Sequence, residues 1–183
     1  MSNVSIFNTA APYHIISYGT LLGTEFFQTF VGGIVSYKAL ARPQFSQLQQ
    51  KLFPVYFGIQ TTLPVVVALT YPASKLGLGT ASGLHGVLAD VNRWIVLVPL
   101  ATIFATSLAN MVFIGPATTK VMRERKHQET RDGKKYYDPA PHSEEMQKLN
   151  KSFSSLHGIS SLLNLTGFIA TLWYGVSIAA RIV

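Results

Sequence analysis

The chain has 183 residues, 48% of them hydrophobic and only 13% charged, with a formal net charge of +7. This fraction of charged residues is low for a soluble surface, and the charged residues are clustered in the sequence. Both observations argue against a soluble helical protein. Cysteine is absent from the sequence, which excludes disulfides, cysteine-based metal sites and thiol catalysis.

Four long segments carry few or no charged residues. Crossing the hydrocarbon core takes about 20 apolar helical residues, and each segment is long enough. The predicted spans are residues 13–38, 54–72, 93–115 and 158–180. The first span contains one charged residue before its last turn, Glu25. The sequence therefore predicts an all-α membrane protein, a single domain over 1–183 with four transmembrane helices in one bundle.

Short amphipathic juxtamembrane helices are predicted beside the second and fourth spans. Pro43 can open the first of them, with an apolar face formed by Phe45, Leu48 and Leu52. Ser143 can cap the second, whose apolar face is Met146, Leu149, Phe153 and Leu156. The stretch RDGKKYYDPAPH before Ser143 has the composition of turns. Residues 116–157 are predicted to be one cytosolic segment.

Basic residues divide unequally between the two sides of the membrane. Twelve lie in or beside the connections after the first and third spans, and three lie on the opposite side: Lys75, Arg93 and Arg181. Under the positive-inside rule both termini then face away from the cytosol. We expect an integral, multi-pass protein of the endoplasmic reticulum or another endomembrane, with the mitochondrial outer membrane and the plasma membrane as alternatives.

The basic clusters flank predicted spans and have no interleaved aromatic recognition motif. Attraction to anionic lipid headgroups explains them better than nucleic-acid binding. We therefore expect membrane lipids as partners and no nucleic acid.

Polar residues inside the spans form the candidate site, because at membrane depth they must face protein or water. The fourth span has the longest stripe, running through His157, Ser160, Asn164, Gly167 and Thr171 at helical spacing. Two interpretations are open: hydrogen bonds that hold the helices together, which we favour, or a path for a solute or ion. The candidate residues are Glu25, Gln28, Gln60, Asn110, His157 and Asn164.

Sequence motifs of catalysis are missing. The sequence has no Gly-x-Ser-x-Gly elbow and no Walker A loop, so an enzyme, a cofactor and a metal site are not expected. His14 and His157 lie at opposite ends of their spans and cannot ligate one haem together. A metal- or haem-handling protein that uses His157 with Met111 or Met122 is the weakest alternative.

Three stretches of the sequence are distinctive: the TFVGG segment at 29–33 with the block at 51–57, the stretch after Asn110, and the stretch that begins at His157. Their characteristic positions are Lys51, Phe53, Pro54, Tyr56, Pro116, Thr118, Thr119, Gly158, Ser160 and Ser161. In these stretches the chain resembles the transmembrane protein 205 family. The resemblance implies a single four-helix membrane domain and a context of export or vesicular trafficking, without a settled activity. The family's animal members carry glutamine at the position of Glu25.

These observations favour a non-enzymatic multi-pass membrane protein. We expect it to act as an interaction partner or organiser in a membrane assembly, with protein partners or a second copy of itself. The alternative is a small transporter or carrier whose path is lined by the intramembrane polar residues.

The topology can be tested through residues 115–155, which we expect in the cytosol. The sequon Asn150-Lys151-Ser152 should stay unglycosylated in intact cells, because glycosylation occurs on the other side of the membrane. A protease added to sealed microsomes should cut near Lys134. Protection of that region inside the lumen would contradict the predicted orientation.

Overall fold

The computed structural model describes residues 6–73 and 81–179. Within these two ranges the ordered elements are all helical. Lys75 and Arg181 of the topology count lie outside the described residues, as does the last residue of the predicted fourth span, residue 180.

The first predicted span is a helix with an irregular middle. Helix α1 (Ala11–Phe26) passes through a π-helical stretch, Phe27–Gly32, into α2 (Gly33–Ala39). The π geometry shows in the amide of Gly33, which donates to the carbonyl of Gln28 five residues earlier. Because the axis continues through this stretch, the three elements together cover the predicted span.

Helix α3 (Arg42–Leu69) corrects the prediction of a separate juxtamembrane helix. It begins with Pro43 in its first turn and continues past Pro54 and Pro64 without a break. A proline in a helix interior removes one backbone hydrogen bond, and an apolar helix whose neighbours support it can keep its axis through that loss. The amphipathic segment and the second span are therefore one helix.

The third predicted span lies within a continuous helical run, Asp90–Asp132. The elements of this part are α4 (Gly83–Leu88), a 3₁₀ turn (Asp90–Asn92), a π stretch (Arg93–Leu97), α5 (Val98–Ala109), a second π stretch (Asn110–Ile114) and α6 (Gly115–Asp132). Pro99 and Pro116 each stand in the first turn after a π stretch. Since proline has no amide hydrogen to donate, the wider π turn lies where an α-helical bond is missing anyway.

Helix α7 (Glu144–Ala179) begins at the predicted cap. The Ser143 hydroxyl accepts from the Met146 amide at 3.2 Å and donates to Asp132 Oδ2 at 2.7 Å. The helix then runs without interruption into the fourth span, so the second juxtamembrane helix is not separate either. Gly133, with φ of 63°, ends α6 in the left-handed conformation that glycine adopts easily.

Packing follows chain order. Helix α1 contacts α3 and α7, and α5 contacts the same two helices from the other side, while α6 lies along the first part of α7. The largest buried apolar cluster comprises Leu21, Val67, Tyr71, Val87, Val96, Leu100, Ile103, Tyr174 and Ile178.

Three helical runs are long and apolar enough to cross a membrane: Arg42–Leu69, Asp90–Asp132 and Glu144–Ala179. Large apolar side chains cover their outer surface; Trp94, Phe113 and Val176 are 73%, 68% and 75% exposed. A water-facing monomer rarely presents apolar area of this extent, whereas lipid requires it.

Replacing Ser143 by alanine should lower the free energy of unfolding in detergent by about 1 kcal/mol, since the substitution removes a helix cap. Ser155→Ala, on the exposed side of the interior of α7, is the matched control and should change little. Equal stability of both variants would contradict the role of Ser143 in joining α6 to α7.

Candidate functional site

Glu25 is buried on α1, with 2% of its surface exposed. It faces Gly167 of α7, where a Cβ atom would lie 3.8 Å from Glu25 Oε1 and 3.0 Å from the Thr106 hydroxyl. The glycine at this position therefore leaves room for the Thr106 hydroxyl, while the Glu25 carboxyl lies at ordinary contact distance. In the described part of the chain, Glu25 Oε2 has no hydrogen-bond partner.

Asn164 connects three helical segments. Its Oδ1 accepts from the Tyr56 hydroxyl at 2.6 Å, and its Nδ2 donates to the Thr29 hydroxyl at 2.8 Å. Tyr56 belongs to α3, Thr29 to the π stretch of the first helix, and Asn164 to α7. A single side chain thus ties segments that are far apart in sequence.

Two further side-chain amides form hydrogen bonds through their nitrogen but not through their oxygen. Gln60 Nε2 donates to the Thr24 hydroxyl at 2.7 Å, and Asn110 Nδ2 donates to the Ser160 carbonyl at 3.2 Å. Both residues are buried. Their oxygens, Gln60 Oε1 and Asn110 Oδ1, have no partner among the described residues.

Four of the six candidate residues thus lie between the helices: Glu25, Gln60, Asn110 and Asn164. Gln28 is only half-buried, and its Oε1 lies beside Gly32 of the same helical run. His157 is a correction, because its side chain is exposed and stacks on Phe153 with ring centroids 5.8 Å apart. The two rings are one turn apart on α7; Phe153 is half-buried against Arg125 of α6, whereas His157 is exposed.

The positions of the family resemblance are divided between interior and surface. Tyr56 contributes its hydroxyl and Ser160 its carbonyl to the interior hydrogen bonds. The other positions are half-buried or exposed: Lys51, Phe53, Pro54, Pro116, Thr118, Thr119, Gly158 and Ser161. Among these, the Thr118 hydroxyl donates to the Ile114 carbonyl at 2.7 Å, next to the π stretch.

The sequence did not predict a second polar cluster, which lies at the end of the helices opposite to His157. His14 Nε2 lies 2.9 Å from the Tyr174 hydroxyl, and His14 Nδ1 lies 3.3 Å from the Thr70 hydroxyl. Because Thr70 donates its own hydrogen to the Val66 carbonyl, its oxygen is free to accept from Nδ1–H. In a neutral ring that carries its hydrogen on Nδ1, Nε2 accepts from the Tyr174 hydroxyl. Tyr174 lies three residues after Thr171 and so continues the polar stripe of the fourth span. That spacing is the signal from which the sequence could have predicted Tyr174 as part of the cluster.

A charged cluster surrounds Arg125 at the end of the helices nearest the connector, which is the segment 133–143 between α6 and α7. Its guanidinium, in a side chain that is 8% exposed, lies over the rings of Tyr136 at 3.8 Å and Phe153 at 4.5 Å. Burial lowers the pKa of Arg125. Nearby Glu129 accepts from Lys126 Nζ at 2.7 Å, and this hydrogen bond raises the pKa of Lys126.

The structure and its polar interior define a class of protein: helical, with a lipid-compatible outer surface and polar side chains between its helices. The chain belongs to the family described as a domain of unknown function (DUF4149), whose model matches residues 16–127. It is 33% identical over 171 residues to Xanthocillin biosynthesis cluster protein D of Aspergillus fumigatus, across 93% of this chain and 90% of that protein. No solved structure matches.

A double-mutant cycle can measure the bridge between Tyr56 and Asn164. Combining Tyr56→Phe with Asn164→Ala should reveal a coupling free energy of about 0.6–1.7 kcal/mol, the range found for hydrogen bonds between membrane helices. Tyr56→Phe with Thr166→Ala is the control pair, since Thr166 is exposed on α7 and bonds its own helix. Additive effects in both pairs would show that the bridge does not stabilise the protein.

Proposed function

We propose that the chain is a four-span integral membrane protein. Its spans pack as one bundle, its termini are non-cytosolic, and its role is that of a non-enzymatic partner or organiser in a membrane assembly. The continuity of the first helix through its π stretch supports a fourth crossing beside the three long apolar runs. The pairing of neighbours in chain order supports the bundle.

One observation carries the organiser role: the interior polar groups bond across helices. Asn164 joins Tyr56 to Thr29, and Gln60 reaches Thr24. Such bonds hold the helices at defined angles, so the outer surface keeps one shape that partners can recognise. The α6–α7 hairpin extends this shape beyond the membrane.

The relative from Aspergillus is named for a xanthocillin biosynthesis cluster. By extension, we propose that the assembly which this chain supports includes biosynthetic enzymes that work at a membrane. The chain would then hold the enzymes in place at the membrane, and the enzymes would catalyse the reactions.

A carrier is the second candidate, because three of the buried oxygens that lack partners in the described part lie within the predicted spans: Glu25 Oε2, Gln60 Oε1 and Asn110 Oδ1. Oxygens of this kind can accept a proton, a water molecule or a small cation. In a carrier, the Glu25 carboxyl would have to titrate or hold charge during each cycle.

Glu25→Gln distinguishes the two roles. The amide preserves the shape of the side chain and still hydrogen-bonds, so an organiser should keep its thermal stability in detergent and should still rescue the phenotype of a deletion strain. Glu124→Gln is the matched control, since Glu124 is an exposed carboxylate outside the predicted spans.

A carrier should give a different result. Its Glu25→Gln variant would remain as stable as wild type, yet it would fail to rescue the deletion phenotype, because the titrating group is gone. That outcome, with normal rescue by Glu124→Gln, would overturn the organiser role.

A further inference from the structure

A cleft of about 240 Å³ lies between the start of α3 and the middle of α6, closed at one end by the connector. On the basis of about 30 Å³ per water molecule, it has room for a phosphate group with several waters. The α3 side contributes Pro43, Ser46, Gln47 and Gln50, and the opposite side contributes Met122, Arg123, Lys126, Glu129, Tyr136 and Tyr137.

Positive charge dominates the cleft. Arg123 and Lys126 line it, and Glu129 is the carboxylate in its wall. Glu129 is already engaged by Lys126 Nζ at 2.7 Å, by the Tyr136 amide at 3.2 Å and by Lys135 Nζ at 3.8 Å. Its charge is therefore balanced by neighbouring cations, and the surplus of positive charge remains.

Two arginines strengthen this surplus from behind Tyr136. Arg125 is buried, and its Nε has no hydrogen-bond partner in the described residues; Arg42 Nη1 likewise has none there. Burial raises the pKa of Tyr136, and the positive charges of Arg125 and Arg42 oppose that rise. Arg125 and Arg42 do not line the cleft, but their positive charges act on its lining residue Tyr136.

The first turns of α3 contribute neutral groups to the cleft. Ser46 and Gln47 line it with a hydroxyl and an amide.

The depth of the cleft indicates the source of the anion. Gln50 precedes the predicted start of the second span by four residues, which is about 6 Å along a helix. Met122 follows Gly115, the predicted end of the third span, by seven residues, or about 10 Å. The headgroup layer extends about 5–8 Å beyond the hydrocarbon, so the membrane-side end of the cleft, at Gln50, lies at its level and the rest of the cleft lies just beyond it.

We propose that this cleft binds the phosphate headgroup of an anionic glycerophospholipid from the cytosolic leaflet. Arg123 and Lys126 pair with the phosphate, and Gln47 and Ser46 hydrogen-bond to it at the start of α3. The proposal rests on the four-span placement proposed above, because that placement sets the depth.

The test uses the full chain in mild detergent with dihexanoyl phosphatidic acid as the probe. Dihexanoyl phosphatidylcholine is the neutral control lipid, and inorganic phosphate represents a soluble anion. Binding is measured by thermal shift and by native mass spectrometry. Phosphatidic acid should stabilise the wild type more than phosphatidylcholine does, and inorganic phosphate at equal concentration should have little effect.

Arg123→Gln combined with Lys126→Gln should weaken phosphatidic acid binding by about tenfold or more, because the variant removes two cations that each strengthen the binding of an anionic lipid. Arg131→Gln with Lys148→Gln removes the same charge from the face between α6 and α7 and should leave binding unchanged. Gln47→Glu places a repelling charge in the cleft but keeps the Lys126–Glu129 pair, so it should also weaken binding.

Three results would overturn the proposal: equal shifts with the two lipids, equal losses in the two double variants, or a full effect of inorganic phosphate. A failure of the four-span placement would give a different pattern of results from a failure of the lipid proposal. In that case detergent binding would remain, but protease mapping would put the α6–α7 connector on the luminal side.

Discussion

Asn164 has a single amide, and both of its ends are used between helices. It accepts from Tyr56 and donates to Thr29, over sequence separations of 108 and 135 residues. In an apolar environment an unpaired amide has no water to replace a lost partner, so each of these bonds restricts where the helices can lie. The position of α7 relative to the first helix and α3 depends on this constraint.

The stripe on α7 shows what periodicity can predict. Asn164, Gly167 and Thr171 recur at three- and four-residue spacing, and they all face other helices, because a polar group in an apolar segment has few other places to go. His157 continues the same spacing, yet it is exposed beside Phe153. Periodicity identifies a face of a helix, but it does not say where along that face the neighbouring helices end.

Partners across the sequence could not be predicted in the same way. The sequence puts His14 near the end of a span, but its contact with Tyr174 spans 160 residues and depends on the angle between α1 and α7. Hydropathy likewise predicts the end of the third span near Gly115, whereas the helix continues to Asp132. Hydropathy reports where a helix leaves an apolar environment, and backbone hydrogen bonding decides where the helix ends.

The π stretches have a consequence for how this family can vary. In each, an amide donates to a carbonyl five residues earlier, as Gly115 does to Asn110. A π turn holds one residue more than the α-helix would need there, so losing that residue restores regular helix and leaves the faces of all that follows nearly unchanged. A one-residue deletion within Asn110–Ile114 would therefore keep Arg123 and Lys126 on the side of α3. Relatives that lose a residue at these places would keep both their helices and the side chains that those helices present to a neighbour beyond the π stretch.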